Sequence, residues 1–407
     1  MALLPVSDAL GRLLGGAAPI TRIETIGLHE AMGRILAEDI KAKLTHPAFD
    51  NSAMDGYAGR HQDFETIGTE LAVIGESAAG RGFPGHVGAG QVVRIFTGAP
   101  VPSGADTVLI QEDAETLADS RIRTTFAPGK GRHIRPKGQD FTFGDVVLRA
   151  GDLLDAGRLT VAAGMNYPEL PVFIRPKVAI LATGDELLPP GSVPGPDQII
   201  ASNTYGVAAI ARDNGAEVID LGIVRDDKAA IAAAVAQAQA AGADVLVTLG
   251  GASVGDHDLV QSTLVESGMK LDFWQIAMRP GKPLMVGTLD GMIVLGLPGN
   301  PVSSLVCALL FLEPLLRHIG SLPARDRNAK AKTTTALPAN DKRQDYVRAR
   351  LTRDSDGMLR AETFLRQDSS MMQVFAQSDC LIIRPPHAPA ADVGATCDVM
   401  ILRQPAA

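Results

Sequence analysis

Between residues 177 and 320, short apolar runs alternate with helix-compatible segments, and few folds accept that order. The pattern predicts strands over 178–182, 217–224, 245–249, 273–277 and 292–296, with helices over 203–214, 229–241, 259–267 and 302–319. Strands this apolar, separated by helices, pair in parallel and need cover on both faces. The expected architecture is a central parallel-sheet α/β domain. Ligands of such sheets bind beyond the carboxyl ends of the strands, so the turn after each strand matters most.

Five unusual turns collect at that edge. They are Thr183-Gly184-Asp185-Glu186, Arg225-Asp226-Asp227, the stretch Gly250-Gly251-Ala252-Ser253-Val254-Gly255-Asp256-His257-Asp258, Arg279-Pro280-Gly281-Lys282-Pro283, and Leu297-Pro298-Gly299-Asn300-Pro301. Glycines let backbone amides approach an anion, and the amino termini of the next helices add positive dipole ends. Thr183 and Ser253 offer hydroxyls, while Arg279 and Lys282 offer fixed positive charge. Glu186, Asp226, Asp256 and Asp258 are hard oxygen donors suited to magnesium bridged to a phosphate. Carboxylates facing an anionic ligand repel it unless a cation sits between them. Each turn alone has a plainer reading: Asp226-Asp227 as a helix start, Glu186 as a solvated loop acid, His257 as an orienting or exposed side chain. The convergence, and the density of Gly250 to Asp258, favour an anion site. Neither the Walker lysine pattern nor the dinucleotide fingerprint is present.

The rest of the chain has a different texture. Residues 7–14 read as a capped amphipathic helix with Leu10, Leu13 and Leu14 on one stripe, and 28–40 as a second helical piece. From about 45 to 140, glycine, proline and short apolar runs predict a small, mostly β domain. Helical character returns over 145–163, so that β domain is read as an insertion. The expected organisation is a helical elongated domain (1–44 and 141–176), an inserted β domain (45–140), the α/β domain (177–324) and a C-terminal β-barrel-like domain (325–407). Three stretches of the inserted domain are ambiguous between turn and site: 49–58, 94–102 and 135–140.

Composition narrows the function classes. The net charge of −8 and 4% aromatic content argue against nucleic-acid binding. Cys307, Cys380 and Cys397 are too scattered for a disulfide framework or a zinc site, which points to a reducing, cytoplasmic compartment. Asp8 and Arg12 argue against a signal peptide, and Glu313-Pro314 is expected to break the most apolar segment before it reaches membrane-spanning length.

The ordered stretches Asp50 to Ala58, Thr97-Gly98-Ala99-Pro100-Val101-Pro102, Thr183 to Leu187, Gly250 to Asp258, Pro280-Gly281-Lys282-Pro283 and Leu297 to Ser303 resemble the signatures of the MoeA family of molybdopterin molybdenumtransferases. The resemblance covers essentially the whole chain. It implies a homodimer of elongated four-domain subunits that inserts molybdenum from molybdate into adenylylated molybdopterin, with magnesium (Mg2+) and release of AMP. It implies possible contact with the adenylyltransferase that supplies the substrate. Position by position, Asp55, Glu186, Asp226 and Asp258 match acidic residues associated with activity, and the chemistry of the last three makes them the expected magnesium ligands. Thr97 and Asp140 match further cleft positions, and Pro298 and Pro301 match the shaped proline loop. Thr183, Gly250, Gly251, Ser253, Gly255, Gly299 and Asn300, read from the turns themselves, are expected to bind the ligand with them. Arg279, Lys282, Arg343, Ser369 and Ser370 resemble positions near molybdate or the anionic end of the ligand. Arg279 departs from the lysine that many members carry, Leu249 stands where a small residue is frequent, and Ala252 occupies a variable position. Two rivals share the superfamily: a molybdopterin adenylyltransferase, which resembles a single α/β domain, and a non-catalytic scaffold, which usually carries a second one. A generic nucleotide-binding regulator is a third reading, favoured if ATP but no pterin bound.

Overall fold

The computed structural model describes residues 3–250 and 259–404. The chain divides into two compact units, Met1–Glu24 with Phe173–Ala407, and Thr25–Val172. Helix α1, Val6–Gly15, opens the larger unit. Its N-cap is Pro5, whose side chain has no acceptor to cap it, and Ser7 lies inside the first turn with its hydroxyl bonded to Asp8. Val6, Ala9 and Leu13 form its buried stripe, with Leu10 and Leu14 at the margins. Arg12 fastens the helix to the sheet by pairing with Asp272 and lying over the Phe273 ring. The expected domain 1–44 is therefore divided, its first helix packing on the α/β core.

After α1 come β1 (Lys177–Thr183), α2 (Asn203–Asp213), β2 (Glu217–Val224), α3 (Lys228–Ala240), β3 (Val245–Leu249), α4 (Leu259–Glu266), β4 (Lys270–Trp274), β5 (Met285–Leu289), β6 (Met292–Leu297) and α5 (Pro301–Ile319). They build a six-stranded sheet of order β2-β1-β3-β6-β5-β4. Strands β2, β1, β3 and β6 are parallel, while β5 runs against β6 and β4 against β5. The sheet is thus parallel except at one edge. There β5 is a strand beyond those expected, joined to β6 by Asp290-Gly291 with both residues at positive φ, the geometry of a two-residue hairpin turn. Strand side chains alternate between two cores. Val178, Ile180 and Ala182 face the side covered by α1, α2 and α5, and Ala179 and Leu181 face the side covered by α3 and α4.

Helix α5 runs through Glu313-Pro314, where the sequence had suggested a break. Proline lacks an N–H and crowds the carbonyl four residues back, and the wider π-type turn Ala308–Leu312 supplies the room. The helix is long and apolar enough to cross a membrane by length and composition, but 72% of that stretch is buried in the unit's own core. Glu313, only 3% exposed, is gripped by both ends of the Arg327 guanidinium at 2.6 and 2.7 Å and by Asn214 at 3.2 Å.

A closed five-stranded barrel completes this unit: β7 (Asn328–Thr333), β8 (Gln344–Arg353), β9 (Leu359–Thr363), β10 (Cys380–Arg384) and β11 (Thr396–Ile401). Its order is β8-β9-β7-β11-β10, and β10 pairs back onto β8. The short strand Met278–Arg279 adds to β8 in parallel. Cys307 and Cys380 are buried thiols, and burial raises the pKa of both, Cys380 to about 12.

The smaller unit combines a six-stranded sheet with a loop-rich layer. The sheet runs Thr107–Ile110, Gly56–Gly59, Gln91–Ile95, Glu70–Ser77, Arg121–Thr124, Ala114–Thr116 in spatial order. Gly56 lies in its second strand, where a Cβ would stand 2.0 Å from the Leu109 carbonyl oxygen. The other layer surrounds Leu36, Leu154, Met165 and Leu170 and holds the helix Ala156–Gly164, capped by Asp155. The expected helix over 28–40 is absent: Leu28–Glu30 makes one 3-10 turn. Gly33 then takes φ +73°, and Gly33 and Leu36 bond the carbonyls of Leu154 and Asp152. Residues 145–163 are likewise only partly helical, with the strand Val146–Leu148 preceding the helix.

Candidate functional site

The chain passes from β1 to β2 on one side and from β2 across to β3 on the other, so the strand order reverses between β1 and β3. A crevice opens at such a point. Here it is a cleft of about 910 Å³ at the carboxyl ends of the strands. Thr183, Glu186, Asp226 and Gly250 line it, as do Pro298, Gly299, Asn300 and Pro301. Gly250, at φ +99°, donates to the Leu297 carbonyl, and a Cβ there would stand 2.8 Å from the Thr183 oxygen. Only glycine fits where these strand ends meet. The Asn203 amide, at the start of α2, bonds the Gly299 carbonyl at 2.6 Å and clasps the proline loop.

The acids meet on one wall. Gly184 takes φ +153°, and a Cβ on it would come within 2.5 Å of the Glu186 carboxylate, which folds over the glycine. The Asp226 carboxyl has a raised pKa because burial disfavours its charge and the neighbouring Asp185 and Glu186 repel it. Among the described residues no group of three or more His, Cys, Asp or Glu stands close enough to hold a metal. Asp258 lies outside the described residues, as do Gly251, Ser253, Gly255, Asp256 and His257.

The basic residues named from the sequence are placed differently. Arg279 pairs with Asp345 and Asp341 of the barrel domain, which raises its pKa. Arg343 pairs with Asp341 two residues away at 3.3 Å. Among the described residues the cleft lining includes Ser370 but none of Arg279, Lys282, Arg343 and Ser369. Ser369 sits next to it, its carbonyl accepting from the Val302 N–H at 3.1 Å. The sequence reading missed Arg348. Only 1% exposed, it bonds Gln367 and the Asp368 carbonyl and so braces the loop that delivers Ser370. It stands among apolar alternating residues of β8, where a charge needs a fixed partner to be tolerated. Ser202, Asn203 and Met372 were also missed.

In the smaller unit the three ambiguous stretches come together. Ser52 N–H bonds the Ala99 carbonyl, Ala53 N–H the His133 carbonyl, and Lys137 N–H the Asp50 carboxylate at 2.7 Å. At this junction Asp55 accepts from the Thr97 N–H at 2.7 Å and from its hydroxyl at 2.8 Å. Those bonds, with a smaller contribution from Arg94, lower the Asp55 pKa. Asp140 is exposed at the end of the third stretch, its N–H bonded to the His46 carbonyl.

Residues 4–165 match the family described as MoeA N-terminal region (domain I and II), residues 179–318 the probable molybdopterin binding domain, and residues 330–402 the MoeA C-terminal region (domain IV). A molybdopterin molybdenumtransferase of Haemophilus influenzae is 35% identical over 383 residues, 94% of each chain. One from Nostoc is 38% identical over 333 residues, covering 80% of this chain and 76% of the relative. The crystal structure of a molybdopterin biosynthesis MoeA protein from Pyrococcus horikoshii superimposes with a TM-score of 0.83 at 29% identity, covering 99% of this chain and 100% of that one. With three consecutive family regions and relatives alike over nearly its full length, this chain belongs to the MoeA family of molybdopterin molybdenumtransferases.

Proposed function

We propose that this chain is a transferase of molybdenum cofactor biosynthesis that inserts molybdenum from molybdate into adenylylated molybdopterin, in a magnesium-dependent reaction that releases AMP. The observation that carries this reading is the cleft at the strand-order reversal, where carboxylates, hydroxyls and the start of α2 share one space. Helix α2 has no side-chain cap, and Ser202, Asn203 and Thr204 line the cleft. Its first-turn N–H groups and dipole favour the ligand's phosphates.

Magnesium fits this donor set. Glu186 and Asp226 bring hard carboxylate oxygens to one wall, and the burial and repulsion that raise the Asp226 pKa are what a divalent cation would offset. Those two would hold the ion, with Asp258 the third ligand expected from the sequence. When bound, it would neutralise charge on the diphosphate and polarise the phosphorus. Water then adds to the adenylyl phosphorus, the phosphorus–oxygen bond to the pterin phosphate breaks, and AMP leaves. Thr183 and the proline loop hold the ligand in place beside molybdate, and as the two molybdenum–sulfur bonds form one molybdate oxygen leaves as water with the two thiol protons, so that insertion is a proximity effect. The braced Ser370 loop reaches the cleft with its hydroxyl bonded to Asp368 at 2.6 Å, and the Asp55–Thr97 cluster serves the same reaction. The enzyme works as a homodimer in a reducing cytoplasm.

Single-turnover release of AMP from adenylylated molybdopterin, with and without molybdate, tests the reading. Molybdate-dependent release is expected, falling about 100-fold or more in Glu186→Gln. Release indifferent to molybdate overturns the transfer reaction. Wild-type rates from Asp258→Ala at saturating magnesium overturn the metal assignment alone.

A further inference from the structure

The cleft has an apolar lip that the reaction described above leaves unused. Ile199 of the α/β domain and Met372 of the barrel domain both line it, although they are 57% and 50% exposed. Among the described residues neither joins an apolar core. Their backbones are nonetheless fixed. Ile199 N–H donates to the Glu186 carbonyl at 2.8 Å, and Leu187–Leu188 pairs with Ile199–Ile200. Met372 N–H donates to the Ser370 carbonyl at 2.9 Å, in the loop that Arg348 braces. The Ser202 hydroxyl meets the Met372 sulfur at 3.3 Å, which places the thioether beside the start of α2.

Large apolar side chains left exposed on a held backbone inside a cleft are suited to a ligand with an apolar face. The phosphates and the molybdate dianion cannot use such a surface without losing hydration they do not recover. A flat ring can: a thioether beside an aromatic ring is favourable, and a branched side chain covers the ring's face. We propose that Ile199 and Met372 form the contact for a planar nitrogen heterocycle of the ligand, with Met372 setting the preference for a ring at that position. The inference rests on the adenylylated-pterin reading and deepens it.

Titration calorimetry of the full chain in magnesium buffer, with AMP, ribose 5-phosphate and 6-hydroxymethylpterin as probes, tests it. Met372→Ala is expected to weaken AMP or the pterin about 10-fold, and Met372→Leu less than about 3-fold. Ribose 5-phosphate, which has no ring of this kind, binds both variants as it binds the wild type and reports that the cleft is intact. Loss in the AMP arm assigns the lip to the adenine ring, and loss in the pterin arm to the pterin. Full binding of both ring compounds by Met372→Ala, or equal weakening of AMP and ribose 5-phosphate, overturns this inference alone. A wild-type chain that binds neither ring compound overturns the adenylylated-pterin reading and this inference with it.

Discussion

Asp55 shows how a single exposed carboxylate can be preorganised. Both the Thr97 N–H and its hydroxyl point at one oxygen, and their preference for the charged form lowers the Asp55 pKa. With the folded pKa below the ordinary 3.8, these bonds favour the folded state above that value, and the benefit fades as pH falls through the folded pKa. Thr97→Val keeps the backbone donor and removes the hydroxyl. Carboxyl-detected NMR should therefore show the Asp55 pKa rising toward 3.8 in the variant, and an unchanged titration would contradict the assignment. Gly250 is a different case: its φ of +99° and the closeness of the Thr183 oxygen came from three-dimensional packing of strand ends, yet the glycine itself stood out in the sequence as one of a cluster.

At the scale of elements, legibility followed periodicity. The strands β1 and β3 announce themselves because nearly every residue is buried, and the helices α2 and α3 because buried residues recur every three or four positions. Strand β5 escaped notice although Asp290-Gly291 between two apolar runs is a strong hairpin signal. The segment 28–40 has helix-like spacing, but Gly33 and bonds to distant carbonyls decide its path, and neither is visible in a local window. Of the described cleft lining, Gly184, Glu186, Asp226, Gly250 and Gly299 stood out in the sequence because such residues are unusual after strands. The ion pairs of Arg279 were not legible, since its partners Asp341 and Asp345 arrive from another domain. The path of α5 through Pro314 leaves Glu313 buried with Arg327, whose side chain is 16% exposed. Glu313→Gln strands that guanidinium and should cost about 3 kcal/mol in urea unfolding. Replacing both residues by methionine should cost less than either single change. A double variant as unstable as the sum of its singles would mean that the pair is not coupled.

For the whole molecule, the described cores respect the division into two units. The clusters around Ile180 and Leu181 and that of the barrel draw on Met1–Glu24 and Phe173–Ala407 alone, and those around Leu36, Phe64 and Ile95 on Thr25–Val172 alone. A unit that carries its own core can fold alone. The larger unit can also close without the smaller, because the Ile174 N–H bonds the Arg22 carbonyl at 3.0 Å and so holds the two crossing chains side by side. A short glycine-serine linker from Glu24 to Phe173 spans that gap with little closure entropy. The linked variant should unfold cooperatively and bind AMP within about 3-fold of the full chain, since every described residue lining the cleft belongs to the larger unit. On the proposed role of Asp55 and Thr97, it should release no AMP in response to molybdate. Residues 25–172 expressed alone should unfold in one transition and bind no AMP. Molybdate-dependent turnover by the linked variant would remove the Asp55–Thr97 cluster from the reaction. Loss of AMP binding with the fold intact would mean that the cleft needs the smaller unit even to hold its ligand.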